Sequence, residues 1–310
     1  MTKWGLAATI LAPTADILRF AAYHIDAGAH RLYLYLDDPD SGAFAPLKAH
    51  PKIRVQACDV AHWQKIEGKR PEKHQVRQSR NATHAYNRKV EVDWLIHMDV
   101  DEFLVPQTSV SDSLAALDPD TACARTRPME QLAGVGNSYK IFIPNGPERT
   151  RIVQDIYPEF GAYIKGGFLS HVAGKLFVRK GLPDISVRIH NAFQGDAMNP
   201  NEIELSDMDL AHAHAKTWED WITAYRYRLE KGSYRAELAP AQSRKRGGLT
   251  LHEMFQTLEA AEGEAGLRRF YTEVATDTDT LRARLQARGM YREITLDLDA
   301  KLARHFPDFT

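Results

Sequence analysis

Cysteine, net charge and long apolar runs are all scarce in this sequence of 310 residues. Its two cysteines, Cys58 and Cys123, are far apart and lack the spacing of metal ligands, so we expect buried thiols in a reducing compartment. No run approaches the roughly 18 consecutive apolar residues that cross a bilayer, which favours a cytoplasmic protein. The 40 basic side chains are balanced by 41 acidic ones, and this balance argues against a nucleic-acid partner.

What the sequence does contain is the composition of a globular protein with a sizeable core. Apolar residues make up 44% of the chain and charged residues 26%, both ordinary values for such a protein. A chain of this length can form one large α/β domain, with or without a smaller appendage.

Short apolar runs alternate with helical patterns in the first third of the chain. The predicted strands are Trp4–Leu11, Leu32–Leu36, Ile53–Ala57 and the run that begins at Trp94. Such alternation predicts an α/β fold with a mostly parallel sheet flanked by helices. Helical patterns replace strands from Trp218 onward. We therefore expect an α/β domain over residues 1–217 and a helical C-terminal extension over residues 218–310.

Two acidic clusters stand where predicted strands end. Asp37 and Asp38 follow the second strand, and Asp99, Asp101 and Glu102 follow the fourth. Ligands of parallel sheets bind outside the carboxyl ends of the strands, where carboxylates two residues apart can hold a hard divalent cation. Asp-x-Asp pairs are common on solvated turns, but the strand in front of Asp99 favours a functional pair.

The run from Trp94 through Asp99-Val100-Asp101-Glu102-Phe103-Leu104 resembles the metal-binding signature of GT-A-fold glycosyltransferases. It most resembles the family 2 branch with an Asp-x-Asp-Glu-Phe motif, and it is also similar to the family 92 type. Two other segments carry the resemblance: the helix with Phe20-Ala21-Ala22-Tyr23-His24, and the helix headed by Gln78-Ser79-Arg80-Asn81. The resemblance covers about the first 105 residues and extends more loosely to about residue 230.

This resemblance implies a GT-A fold and the transfer of a sugar from a nucleotide-sugar donor to a glycan or lipid-linked acceptor, with inversion at the anomeric carbon. A divalent cation, Mn²⁺ or Mg²⁺, would stabilise the diphosphate leaving group. The family suggests polysaccharide biosynthesis at the inner face of a bacterial membrane, with peripheral association through the C-terminal helices.

The implied roles fall on three sets of side chains. The catalytic set is Asp99, Asp101 and Glu102. The donor-binding set is Asp37, Asp38, Gln78, Arg80, Asn81 and Lys175. The cation set is Asp99, Asp101, His214, His212 and His190, in which the histidines compete for one place and His214 is favoured. Glu102 would face away from the pair if the strand continued, so the general base stays open.

Two other functions stay open. A metal-dependent phosphatase or phosphotransferase would use Asp99 as nucleophile and Asp101 as acid, although such enzymes place the pair on their first strand. A non-catalytic sugar-binding protein of the same fold would bind a donor without turning it over. The turn Asp37-Asp38-Pro39-Asp40-Ser41-Gly42 also departs from the Asp-Asn-x-Ser-x-Asp pattern of the family.

Overall fold

The computed structural model describes residues 1–134, 136–231, 240–241 and 243–309. By Cα packing the chain divides into two compact units. The first unit comprises Met1–Arg127, Ala173–Leu210 and Leu296–Thr310, and the second comprises Pro128–Val172 and Ala211–Thr295. The domain division expected between residues 217 and 218 stays a prediction.

Strands and helices alternate through the first third of the chain, and helices dominate from Trp218 onward. Within the described residues the strands are, in chain order, β1 Trp4–Ile10, β2 Arg31–Leu36, β3 Ile53–Ala57, β4 Trp94–His97, β5 Glu102–Pro106, β6 Cys123–Gln131, β7 Ser138–Ile141, β8 Lys175–Arg179, β9 Ile185–Val187, β10 Ala192–Gln194, β11 Ala197–Met198, β12 Glu202–His212 and β13 Tyr291–Glu293. The helices are α1 Thr14–Asp26, α2 Phe44–Ala49, α3 Val60–Ile66, α4 His74–Asn87, α5 Val110–Ala115, α6 Arg149–Ile156, α7 Trp218–Lys231, α8 Leu251–Glu262, α9 Glu264–Ala275, α10 Asp279–Gln286 and α11 Leu298–His305. Short 3₁₀ helices lie at Lys165–Gly167, Arg244–Arg246 and Pro307–Phe309.

The sheet of the first unit begins with four parallel strands in the order β3-β2-β1-β4. Every residue of β1 and β4 is buried, which explains why both strands read as unbroken apolar runs. Beyond β4 the sheet is antiparallel, because β8 runs against both β4 and the first part of β6. The predicted α/β fold is confirmed as a mixed sheet flanked by helices, in which β1–β4 pair in the parallel sense. The alternation of strands and helices along the sequence does not reveal whether a strand such as β8 runs parallel or antiparallel to its neighbours.

Helices α1 and α4 pack on the sheet of the first unit, α1 through an apolar face and α4 through a face that also buries polar side chains. Phe20 and Tyr23 of α1 are buried, and the Tyr23 hydroxyl donates a hydrogen bond to the carbonyl of Leu104 at 2.7 Å. Helix α11 packs on α1, and Arg19 pairs with Asp299 at 2.7 Å between them. The C-terminal helices are therefore divided between the two units: α11 belongs to the first unit, and α7–α10 belong to the second. Among the described residues, none of the helices has the length and apolarity that a bilayer crossing requires.

Aromatic side chains form the core of the second unit. Trp221 and Tyr225 of α7 stack with ring centroids 5.4 Å apart, and Phe255 and Phe270 meet edge to face at 4.9 Å. All four are nearly inaccessible to solvent. The helical spacing of Trp221 and Tyr225 predicts packing rather than sugar binding, and their burial confirms it.

One ion pair is buried in the second unit. Lys140 Nζ lies 2.9 Å from Glu130 Oε2, and both side chains are at most 2% exposed. Glu130 also accepts hydrogen bonds from the backbone N–H groups of Leu169 and Ser170, while Lys140 donates to the carbonyl of Gly167. The pair therefore fixes the segment that follows the 3₁₀ helix at Lys165–Gly167.

A buried histidine makes the stability of the first unit depend on pH. His24 Nδ1 donates to the carbonyl of Phe20 at 2.9 Å, the ring stacks on Phe103, and burial lowers the pKa of His24 to about 4. The unfolded chain takes up a proton near pH 6.5 and the folded chain does not, so stability is lost as the pH falls from 6.5 toward 4.

We predict that His24→Leu removes about 3 kcal/mol of the stability difference between pH 7 and pH 4. Urea unfolding at both pH values measures this difference in the free energy of unfolding. His97, whose pKa burial and nearby Lys175 lower to about 3, is retained in both proteins and so contributes equally. If the free energy of unfolding changed equally with pH in the wild type and in His24→Leu, the assignment to His24 would be contradicted.

Candidate active site

The Asp-x-Asp motif forms a tight turn between β4 and β5. Met98 continues the pairing of β4, because its N–H donates to the carbonyl of Ala7 at 3.0 Å. The chain then reverses: the Glu102 N–H donates to the carbonyl of Asp99 at 3.2 Å, and Glu102 Oε2 accepts from the Asp99 N–H at 2.8 Å. The turn places Asp101 at the carboxyl edge of the parallel strands.

Asp99 is engaged by two side chains from other elements. Gln78 Nε2 of α4 donates to Oδ1, and Lys175 Nζ at the start of β8 lies 2.6 Å from Oδ2. Lys175 is fully buried and also lies 3.3 Å from Glu102 Oε2. Burial alone would lower the pKa of Lys175, but the carboxylates of Asp99 and Glu102 outweigh it and raise the pKa. Lys175 is therefore a charged ammonium between two carboxylates.

The three acidic residues of the motif therefore have different surroundings. Glu102 is 3% exposed and holds the turn and Lys175. Asp99 is partly exposed, with Gln78 and Lys175 on its two oxygens. Asp101 is half-buried.

The predicted donor residue Asp37 is buried among basic side chains. Oδ1 lies 3.0 Å from Arg70 Nη2, and Oδ2 lies 2.8 Å from Arg77 Nη2 and 3.5 Å from His74 Nδ1. Burial would raise the pKa of Asp37, but hydrogen bonds from His74, Arg77 and Arg70 hold it well below its usual range. Both carboxylate oxygens of Asp37 are thus bound by protein groups, and its contact with a donor stays a prediction.

A cavity of about 630 Å³ opens at the carboxyl edge of β1, β2 and β3. Residues that directly follow these strands line it: Leu11 after β1, Asp38 in the turn after β2, and Cys58 after β3. Its walls also include Trp63, Lys69, Arg70 and Asp59. The cavity therefore combines an apolar wall with charges of both signs, as small-molecule sites do.

Helix α4 places the three candidate donor-binding residues Gln78, Arg80 and Asn81 in different environments. Gln78 reaches Asp99, as described above. Arg80 points outward and pairs with Glu67 at 2.8 Å. Asn81 is fully buried, where Oδ1 accepts from His62 Nε2 at 2.8 Å and Nδ2 donates to Thr9 Oγ1 at 3.1 Å. Asn81 therefore supports the cavity from behind, and its contact with a donor stays a prediction.

The candidate histidines lie at two places in the chain. His212 ends β12, His214 follows two residues later, and their ring centroids are 4.9 Å apart. One ring nitrogen of each lies within 4.8 Å of the other, so one cation can reach both. Arg228 Nη1 of α7 lies 2.6 Å from His214 Nε2. His190, in the first unit, donates from Nδ1 to the carbonyl of Gly174 at 2.9 Å.

The sequence interpretation did not include the basic residues around Asp37, nor Arg228. Arg70, His74 and Arg77 were overlooked, although their spacing of four and then three residues is the spacing of one helical face. That regularity, which runs into helix α4 and ends one residue before Gln78, was the available signal. Arg228 gave no comparable signal, because arginines in amphipathic helices usually face solvent.

No family model matches the chain, and no curated protein matches it. Among solved structures the chain is similar to HddC from Yersinia pseudotuberculosis, with 11% identity over 73% of this chain and 99% of that one, at a TM-score of 0.36. It is also similar to the glycosyltransferase GlyE from Streptococcus pneumoniae TIGR4, with 17% identity over 44% and 32%, at a TM-score of 0.26. GalNAc-T7 with UDP, GalNAc and Mn²⁺ matches at 9% identity over 84% and 57%, with a TM-score of 0.37. At these scores, the assignment of the fold rests on the strand order described above.

We predict that Lys175→Met destabilises the protein by about 3–5 kcal/mol, because it leaves buried Glu102 without its counter-charge. The matched control is Arg80→Met, which breaks an exposed pair and should cost less than about 1 kcal/mol. Urea unfolding at pH 7 measures both values. A Lys175 variant as stable as the Arg80 variant would show that the ammonium is not needed to hold the turn.

Proposed function

We propose that the protein is a metal-dependent glycosyltransferase, which moves a sugar from a nucleotide-sugar donor to a hydroxyl of a glycan or lipid-linked acceptor. The observation that carries this proposal is the shared edge in the first unit. The cavity opens after β1, β2 and β3, and the Asp-x-Asp turn follows β4, so both lie at the carboxyl ends of adjacent parallel strands. In such sheets this edge is where ligands bind.

The cavity fits the nucleoside of the donor. Trp63, Leu11 and Val60 give it an apolar wall for a base, and Asp38 and Arg70 offer an acceptor and a donor for the polar edges of the base and ribose. Because Asp37 already holds one nitrogen of Arg70 at 3.0 Å, the guanidinium is oriented before a ligand arrives. In this proposal Arg70 and Asp38 contact the donor, and Asp37 acts through Arg70.

Asp101, His212 and His214 are the ligands that we propose for the divalent cation. Each is half-buried and offers one ligand atom. A carboxylate with two imidazoles is a donor set that suits Mn²⁺ better than Mg²⁺. His190 stays the competing histidine, and Asp99 orients the turn.

The chemistry follows from charge. Breaking the glycosidic bond of the donor leaves negative charge on a diphosphate, and a cation bound at Asp101 would stabilise it as a Lewis acid. The protein therefore needs no general acid at the leaving group. Inversion requires a base for the acceptor proton. Glu102 is a poor base, because it is buried against Lys175 and accepts from the Asp99 N–H.

The phosphatase alternative is not favoured. A nucleophilic Asp99 would need an oxygen directed at a phosphorus atom, but Gln78 and Lys175 already bind its two oxygens. A non-catalytic sugar-binding protein would use the same cavity. Release of a nucleoside diphosphate from the donor distinguishes the transferase from such a binding protein, because only the transferase breaks the donor. A cytoplasmic location, association with the inner membrane face and a role in polysaccharide biosynthesis stay predictions.

We predict that one class among UDP-, GDP-, dTDP- and CMP-sugars raises the melting temperature only when Mn²⁺ is present. Asp101→Asn should lose this rise yet melt normally without ligands, because it removes one carboxylate charge without opening the core. Asp120→Asn, an exposed aspartate elsewhere, should respond like the wild type. A wild type that responds to none of the donors, with Mn²⁺ or with Mg²⁺, would remove the proposal.

We predict that Arg70→Ala weakens binding of the nucleoside diphosphate by at least about tenfold, because a charged hydrogen bond is lost. The loss should be the same with and without Mn²⁺, in contrast to Asp101→Asn. Isothermal titration calorimetry measures both affinities, with Lys89→Ala as a control for an exposed positive charge. Unchanged affinity in Arg70→Ala would place the nucleoside outside the cavity.

A further inference from the structure

One wall of the cavity in the first unit is a loop between two helices. Helix α3 ends at Ile66 and α4 begins at His74, and Gly68, Lys69 and Arg70 of the connecting loop line the cavity. A loop takes its position from the contacts that its residues make with the helices and strands around it. The shape of the cavity on this side therefore depends on what holds the loop.

Arg77 of α4 binds this loop with one part of its guanidinium and the end of a strand with the other. Nη1 donates to the carbonyl oxygens of Pro71 and Glu72, at 2.9 and 2.7 Å. Nε and Nη2 lie 2.9 and 2.8 Å from Asp37 Oδ2. Asp37 directly follows β2, and its N–H donates to the carbonyl of Ile10 in β1 at 2.8 Å. Arg77 thus ties the loop to the sheet.

The charged side chains of this cluster differ in their exposure to solvent. The side chain of Arg77 is 9% exposed and that of Asp37 is fully buried, whereas that of Arg70 is 50% exposed. Protein oxygens already engage all three nitrogens of the Arg77 guanidinium. Arg70 is therefore the arginine that can meet a ligand, and Arg77 can influence a ligand through the loop that carries Arg70.

We propose that Arg77 is a positioning residue for nucleotide binding, which holds the loop so that Arg70 faces the donor in the cavity. This inference rests on the proposed function, because it takes the cavity as the nucleoside site. Arg70 and Arg77 bind the two oxygens of Asp37, Oδ1 and Oδ2 respectively. Without Arg77 the loop would populate other positions, and the affinity would fall with the fraction of molecules in which Arg70 is in place.

The first test is a double-mutant cycle on nucleotide affinity. Isothermal titration calorimetry with UDP, GDP and dTDP, with Mn²⁺ present throughout, compares the full-length wild type, Arg77→Met, Arg70→Ala and the double variant. The control is Arg31→Met at the amino end of β2, where Arg31 Nη2 lies 3.0 Å from Glu91 Oε1 and the arginine side chain is 13% exposed. Arg77→Gln replaces the methionine variant if that variant does not fold.

We expect Arg77→Met to bind the preferred nucleoside diphosphate at least about fivefold more weakly than the wild type. The same substitution in the Arg70→Ala background should change the affinity by less than about twofold, because Arg77 acts through Arg70. Arg31→Met should bind like the wild type. Arg77→Lys keeps a positive charge beside Asp37, but its single nitrogen cannot hold Asp37 and two carbonyls, so the affinity should stay low while stability recovers.

The second test measures the loop without any nucleotide, by limited digestion with trypsin. Trypsin cuts after Lys69, whereas Pro71 protects the bond that follows Arg70. The native Arg77→Met protein should be cut after Lys69 at least about fivefold faster than the wild type and Arg31→Met, because the protease needs the loop to leave its place. Mass spectrometry of the fragments identifies the cut.

Several results would overturn the inference. Unchanged affinity in Arg77→Met, or an equal loss in the Arg70→Ala background, would exclude action through Arg70. Full recovery of affinity by Arg77→Lys would reduce Arg77 to a counter-charge for Asp37, and equal cleavage after Lys69 would show that Arg77 does not hold the loop. Each of these results, with nucleotide binding by the wild type, leaves the proposed function in place. Absence of nucleotide binding by the wild type removes both proposals, whatever the digestion shows.

Discussion

The ammonium of Lys175 is the charge on which the carboxyl edge of the first unit depends. Asp99 and Glu102 both lie within 3.3 Å of it, and two carboxylates so close to one another would repel if it were absent. Removing such an ion from water costs several kcal/mol, which only well-directed partners offset. Lys175 has such partners, since Glu102 also binds the Asp99 N–H. The geometry of the motif is thus set by charge pairing as much as by apolar packing.

The same arrangement recurs at two other places. Asp37 is surrounded by two guanidinium groups and an imidazole, and Glu130 is paired with Lys140. Burial would raise the pKa of Glu130, but Lys140 and then His214 lower it to about 2. In each case a buried carboxylate stays ionised and orients basic groups or backbone N–H groups around it. Asp38 and Asp101, which are more exposed to solvent than these carboxylates, are the ones that we propose for ligands.

Features that depend on short stretches of sequence were predictable. The strand that begins at Trp94 and the acidic turns after β2 and β4 follow from apolar runs and strand ends, and the structure has them at those positions. The partners of these carboxylates were not predictable. Lys175 is 76 residues away from Asp99, and the two meet only because β8 pairs with β4 in the antiparallel sense. The motif also could not show which face of α4 each side chain occupies, so it did not reveal that Asn81 lies behind the cavity.

Cys58 lies at the edge of the cavity and beside Asn81, whose Nδ2 is 3.5 Å from the thiol sulfur. Burial raises the pKa of Cys58 to about 12, against a weaker opposite effect of Asn81. At neutral pH the thiol therefore predominates over the thiolate, which is the form that reacts with alkylating agents and oxidants. The cavity thus has a sulfur atom in its wall whose reactive, ionised form is disfavoured by the same burial that shapes the wall.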